Sequence, residues 1–201
     1  EDPSLRRPDR VLLISPAIRL VKVAALAGIL DIFSVVPLPV LEKVRWQEVE
    51  PEYDPYKFNS FPINAARQVN RATRALQSAL SEARESGRIA RMPPVITWQS
   101  VVDSTVGAEG AAETLYPGLQ GQQNRLVLFD VNRYRGLGSV QRPAARALIE
   151  RLRNSTRGYT LEIVTNIDPR STRVSVVRLT PAGEESVRDA GLDWPGNLVS
   201  L

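Results

Sequence analysis

The apolar positions along the chain fall into two recurring patterns, and their alternation predicts the fold. Residues 10–16 (Arg-Val-Leu-Leu-Ile-Ser-Pro) form a short continuous apolar run without polar alternation, ending at Pro16. Such a run is expected of a strand buried on both faces of a parallel sheet. Residues 94–99 and 124–131 repeat the pattern, and 159–165 and 173–179 add two strands separated by a turn at Asp168-Pro169. Helical spacing lies between these runs. Ala65, Ala66, Val69, Ala72, Leu76, Ala79, Leu80 and Ala83 recur at i, i+3, i+4 intervals and predict a helix over about 62–86. Ser60 is placed to cap it, Pro62 suits its first turn and Gly87 stops it. Its opposite face carries Arg67, Arg71 and Arg74 and reads as solvated. The Ala- and Leu-rich stretch from Ile18 to about Val36 predicts one or two helices, halted by Pro37 and Pro39. Shorter helices are expected over 108–116 and 144–153, the second with Leu148 and Leu152 inward. Residues 46–62, with three prolines and Tyr53, Tyr56, Phe58 and Phe61, read as an ordered loop. Strands alternating with helices predict an α/β fold with a mostly parallel sheet.

Composition narrows the chemistry. The 201 residues are enough for one domain with a sizeable core. Cysteine is absent, which excludes a disulfide framework and thiolate metal sites. Histidine is absent too, which removes imidazole as base, proton shuttle or metal ligand. The net charge of +4 comes mostly from arginine, since Lys22, Lys43 and Lys57 are the only lysines. Acids accompany the arginines through most of the length, unlike the concentrated basic face of a nucleic-acid binder, so no nucleic-acid partner is expected. Glu48, Glu50, Glu52 and Asp54 form an acidic stretch, but nothing in it sets the geometry of a hard-cation site, and no cofactor or metal is expected. Residues 23–40 are nearly all apolar and about long enough to span a bilayer. They contain Asp31, Pro37 and Pro39, which favours a buried or interfacial helix. The opening residues 1–10 are charged and proline-bearing, unlike a secretory signal, and a start at Glu1 reads as an excerpt of a longer chain.

Among the remaining carboxylates, Asp103 stands out. It follows the strand at 93–98 by the short turn Gln99-Ser100-Val101-Val102, where open parallel sheets carry functional groups. The other reading of an aspartate there is a helix cap. Asp130 within a strand and Asp168 before a proline read as structural, and Ser15 before Pro16 as local capping.

Five segments together resemble the α/β-hydrolase superfamily, in particular bacterial enzymes of the serine aminopeptidase and lysophospholipase-like group. Residues 8–17 resemble the strand that follows the nucleophile helix, and 52–64 look like the cap segment of that group. Residues 94–106 resemble the strand and turn that present the triad acid, with Asp103 in the acid's position. Residues 124–133 resemble the next core strand, and 191–201 look like the lead-in to the family's histidine, just past Leu201. Two departures accompany the resemblance: Ser100 stands where many members have glycine, and no G-x-S-x-G elbow occurs in the chain.

The resemblance implies the carboxyl-terminal part of a hydrolase sheet with an inserted helical cap. Residues 1–17 would be a core strand, 18–92 the cap or lid, and 93–201 the remaining core. It implies ester, or alternatively amide, hydrolysis by a Ser-His-Asp triad through an acyl-enzyme. This chain would supply only the acid, because an aspartate orients imidazole but replaces neither it nor the serine. The substrate would be a small ester or amide with an apolar acyl group, in a bacterial protein that is cytoplasmic or associated with the cell envelope. Two rival readings stand beside it: a non-catalytic binding module on a hydrolase-like sheet, and a membrane-associated protein anchored through 23–40.

Overall fold

The computed structural model describes residues 6–19, 46–48, 61–103, 106–119, 121, 123–132, 143–196 and 198. The apolar stretch 23–40, the capping Ser60 and the acidic positions Glu50, Glu52 and Asp54 lie outside the described residues. Six strands form one mixed sheet: β1 Val11–Ile14, β4 Val95–Ser100, β5 Arg125–Asp130, β6 Thr160–Asn166, β7 Arg173–Leu179 and β8 Glu185–Asp193, hydrogen-bonded in that order. Strands β2 Trp46–Glu48 and β3 Phe61–Pro62 pair antiparallel in a separate ribbon, within a stretch expected to be loop.

Parallel pairing runs from β1 through β6, with Val11 opposite Val95, Thr97 opposite Leu126 and Val127 opposite Glu162. The expectation of a mostly parallel sheet fails beyond β6. There β7 and β8 pair antiparallel, because the turns at 167–172 and 180–184 are too short for the helical crossover that a parallel connection needs. β8 escaped the apolar-run reading altogether. Eight of its nine residues are exposed, and it carries charges in place of an apolar face. Arg153 pairs with Glu185 at 2.6 Å and Arg173 with Asp189 at 2.6 Å, holding this polar edge to its neighbours.

The core covers one face of the sheet. Val95, Leu126, Leu128, Leu161, Ile163, Val177 and Leu179 project onto it from alternate strand positions. They meet Leu148, Ile149 and Leu152 of helix α2 (Pro143–Asn154) and Ala111, Ala112 and Leu115 of a π-helical segment, Gly110–Leu115. The other face buries Val127, Val174 and Val176, with Glu162 between Arg125 and Arg178 at 3.7 Å from each.

Helix α1 (Ile63–Glu85) confirms the period-3.6 reading in extent, and Gly87, at φ 69°, supplies the left-handed residue that ends it. Its inward face is displaced from the expected one. Thr73 donates to the Ala17 carbonyl at 3.0 Å, Gln77 to that of Ile18 at 2.6 Å, and Arg84 to that of Pro117 at 2.9 Å, with Leu80 buried among them. Val69, Ala72, Leu76 and Ala79, expected inward, are exposed; Arg71 and Arg74 are exposed as expected. The polar inward positions were chosen by backbone carbonyls in need of donors, which an apolar periodicity does not register.

The reading of β1 as buried on both faces is also corrected. Leu13 is half-buried, whereas Leu12 is 59% and Ile14 80% exposed. β1 is the last strand of the sheet among the described residues, so its outer edge and one face have no neighbour there.

Candidate functional site

Four polar side chains gather just past the carboxyl ends of the parallel strands. Ser15 follows β1, Asp103 lies in the loop after β4, Asn132 follows β5, and Asn166 closes β6. This edge of an open parallel sheet is where loops diverge and leave space for a ligand.

Asp103 sits in a tightly closed loop. Its Oδ1 accepts the Val106 amide at 2.9 Å, and its Oδ2 lies 3.5 Å from Gln99 Nε2. Gln99 is fully buried and also donates to the Val106 carbonyl at 3.2 Å, while Ser100 Oγ accepts the Val102 amide at 3.3 Å. Ser100, standing where the resemblance expects glycine, thus stabilises the turn through its hydroxyl. Asp103 is half-buried on a loop, in neither a helix nor a strand. Its amide-accepting geometry resembles a cap, but it closes the loop from position 103 to 106, ahead of the helical residues that start at Ala108.

Ser15 is a corner and not a cap. Its φ of 44° places a non-glycine residue in the left-handed region, and its amide donates to the Trp98 carbonyl at 2.9 Å. Such a conformation costs about 1–3 kcal/mol and persists only where the surroundings impose it. Here the inter-strand hydrogen bond and Pro16 fix the chain on both sides. Ser15 helps line a cavity of about 160 Å³ with Ile14, Trp98, Ser100, Phe129 and Trp194. Apart from the serines and Gln99, its lining is apolar.

Asn132 carries the second strained backbone of this edge, at φ 58°, and is fully buried. Its amide donates to Asn166 Oδ1 at 2.6 Å, and Asn166 Nδ2 returns a bond to Asn132 Oδ1 at 3.0 Å. Asn132 Nδ2 then holds the carbonyls of Pro195 at 2.8 Å and Leu198 at 2.6 Å. The segment after β8 is thereby tied to the end of β5, with the Trp194 ring 6.2 Å from that of Phe129. No protein-family model, curated protein or solved structure matches the chain.

The chemical scope of this edge follows from its side chains. A carboxylate on a closed loop can accept a hydrogen bond from a cationic or N–H-bearing partner and stabilise its charge. It is not a nucleophile activator by itself, and the 201 residues contain no histidine. Among the described residues no group of three or more His, Cys, Asp or Glu could hold a metal ion. Asp130 is buried within β5, where its carbonyl accepts the Thr165 hydroxyl at 3.1 Å. Asp168 Oδ1 accepts the amides of Arg170 at 2.8 Å and Ser171 at 3.0 Å, the turn role expected of it. Among the described residues no helix is long and apolar enough to cross a membrane.

Gln99, Asn132, Asn166 and Trp194 were not singled out by the sequence. The three amides act through backbone groups 5 to 66 positions away and Trp194 through the Phe129 ring, partners that a linear pattern does not reveal. The only local signal was polar amides placed at the ends of apolar runs.

Proposed function

We propose that this chain supplies the triad acid and part of the lid of a serine hydrolase of the α/β-hydrolase type. The enzyme cleaves carboxylic esters, or amides, through an acyl-enzyme, and its serine and histidine come from residues outside these 201. One observation carries the reading: the Asp103 loop and the Pro195 and Leu198 carbonyls, within the stretch 191–201 that resembles the approach to the histidine, both lie at the carboxyl ends of the parallel strands. That convergence is what a triad needs, because the acid must meet the N–H of an imidazole arriving from a different loop.

In this reading Asp103 fixes the tautomer and orientation of the imidazole and stabilises the imidazolium formed when serine loses its proton. The loop bonds from Val106 and Gln99 keep the carboxylate from turning away, which is the role of supporting hydrogen bonds around a functional group. The apolar cavity by Ile14, Trp98, Phe129 and Trp194 supports an apolar acyl group. A second reading, a binding module without catalysis, is favoured by the fact that Val106 already occupies Asp103 Oδ1 at 2.9 Å, a bond that loop closure alone would explain.

Asp103→Asn separates the two, measured in a gene product that also carries a G-x-S-x-G elbow and the histidine. Asparagine retains an acceptor for the Val106 amide and loses only the long 3.5 Å contact with Gln99 Nε2, so melting should change little. Asp103→Ala should lose about 1–3 kcal/mol of stability with that bond. Turnover of a short-chain p-nitrophenyl ester by Asp103→Asn should fall about 10⁴-fold in kcat, the loss expected when imidazole is held in the wrong tautomer. A kcat within tenfold of the unsubstituted protein would leave Asp103 with loop closure as its only role.

A further inference from the structure

A second cavity lies at the opposite end of the sheet from Asp103. It is an open groove of about 1150 Å³ between the π-helical segment and α2, walled by Ala112, Leu119 and Leu152, with Tyr159 at its inner side. The loops that frame it, Pro117–Leu119 and Asn154–Tyr159, precede β5 and β6, so it belongs to the amino ends of the strands. We propose that this groove binds a small apolar monocarboxylate, whose carboxylate accepts a hydrogen bond from the Tyr159 hydroxyl beside the Arg157 guanidinium.

Two polar groups in the groove lack the partners that their neighbours have. Tyr116 and Tyr159 pack with tilted rings, centroids 4.5 Å apart and planes at 47°, and both are buried. The Tyr116 hydroxyl is spent on the backbone carbonyls of Arg125 and Val95. The Tyr159 hydroxyl makes no hydrogen bond among the described residues, although Tyr159 is only 5% exposed. The hydroxyl opens onto the groove, where it is free to donate to a ligand.

The charges of the groove are equally uneven. Glu113 is held by Arg151 at 2.7 Å and by Arg19 at 3.2 Å, and Glu150 by Arg146 at 2.8 Å. Arg157 alone among the groove's charged side chains has no ion partner among the described residues. It donates through Nη2 to the carbonyls of Leu152 and Arg153 at the end of α2, and its Nε is buried without a partner. Burial raises the Tyr159 pKa, and the nearby Arg157 charge opposes that rise. The hydroxyl therefore stays protonated and donates, and an anion beside it offsets the guanidinium. A phenol donor and an unpaired guanidinium beside the apolar walls of Ala112, Leu119 and Leu152 suit a carboxylate with an alkyl or aryl body. The groove is remote from Asp103, and its test is independent of the hydrolase reading.

Hexanoate is the probe and hexanamide its neutral match, titrated into the ¹⁵N-labelled 201-residue chain by NMR. Hexanoate at millimolar concentration should shift amides of Gly118, Leu119 and Asn154–Tyr159, and hexanamide should bind at least about tenfold more weakly, as expected when a charge-assisted bond is lost. Tyr159→Phe keeps the ring contact with Tyr116 and should weaken hexanoate about tenfold. Ala147→Trp fills the groove from an exposed position on α2, leaves the core untouched and should abolish binding. The proposal is overturned if hexanoate produces no shifts in these loops, if hexanamide binds as tightly, or if the shifts persist in Ala147→Trp.

Discussion

Asn132 and Asn166 bond to each other in both directions, the Asn132 amide to Asn166 Oδ1 at 2.6 Å and Asn166 Nδ2 to Asn132 Oδ1 at 3.0 Å. This reciprocal pair decides where the chain goes after β8. With its oxygen satisfied by Asn166, Asn132 is oriented so that both Nδ2 hydrogens point at the Pro195 and Leu198 carbonyls. Asn166 Nδ2 also reaches the Ser171 carbonyl at 2.9 Å, which ties the β6–β7 turn into the same network. The position is demanding in a second way, since Asn132 adopts φ 58° and asparagine tolerates that region better than most residues.

The two demands on Asn132 are separable by substitution. Asn132→Ala loses the clamp and also meets the left-handed backbone cost, so it should destabilise the chain by about 2–4 kcal/mol. Asn132→Gly loses the clamp but relieves the backbone, and should be about 1 kcal/mol more stable than the alanine variant. Both variants should release Trp194, read as a red shift of its fluorescence and faster amide exchange at Trp194 and Leu198. Equal stability of the glycine and alanine variants would mean that φ at 132 carries no strain.

Polar network and sheet differ in how far the sequence disclosed them, for a physical reason. The central strand β5 buries apolar side chains on both faces, so Leu126, Val127 and Leu128 appear as an unbroken apolar run, while in β6 Leu161 and Ile163 mark the core face and Glu162 interrupts them on the other. β8 has no such duty. Its side chains are solvated, and what makes it a strand is backbone pairing with β7, along with the Arg173–Asp189 ion pair, neither of which shows in hydropathy. Helix α1 was legible in extent but not in orientation, because Thr73 and Gln77 face inward to serve carbonyls that only the fold brings near. The loop position of Asp103 was legible because its signal was positional, an aspartate shortly after an apolar run. The Asn132 clamp was not, since its meaning depends on carbonyls 63 and 66 positions later.

The exposed β7–β8 hairpin should respond to acid through one pair. The Arg173 guanidinium donates to Asp189 Oδ2 at 2.7 Å, and together with the Gly191 amide it lowers the Asp189 pKa below its ordinary 3.8. A carboxyl whose folded value is lowered stabilises the fold above its unfolded pKa, and that contribution is lost as pH falls through the folded value. Acidification below about pH 4 should therefore loosen β8 before the buried strands, seen as early collapse of the NMR shift dispersion of Arg188–Gly191. Asp189→Asn should remove most of this early phase. High salt should weaken the pair at neutral pH, as both partners are exposed.

Alkali should act at the other end of the titration range, on the two packed tyrosines. Burial raises the pKa of both Tyr116 and Tyr159 above the usual 10.0, because phenolate would be stranded away from water. For a group with a raised folded pKa, the stability is fully present below the unfolded value and is lost as pH rises towards the folded one. The unfolded chain ionises these phenols from about pH 10 while the folded chain resists, so the linkage pulls the equilibrium towards unfolding above that pH. The rise of phenolate absorbance at about 295 nm should then include a second, late stage in which Tyr116 and Tyr159 ionise only together with loss of far-ultraviolet ellipticity. Tyr116→Phe removes the hydroxyl that serves the Arg125 and Val95 carbonyls; it should lower neutral-pH stability by about 1–3 kcal/mol and shrink the second stage by one phenol. Tyr159→Phe should shrink that stage equally with little cost at neutral pH, because its hydroxyl has no hydrogen bond to lose among the described residues. A single stage complete near pH 10 with the ellipticity intact would show that neither phenol is shielded from water, and the burial that frames the groove would have to be abandoned.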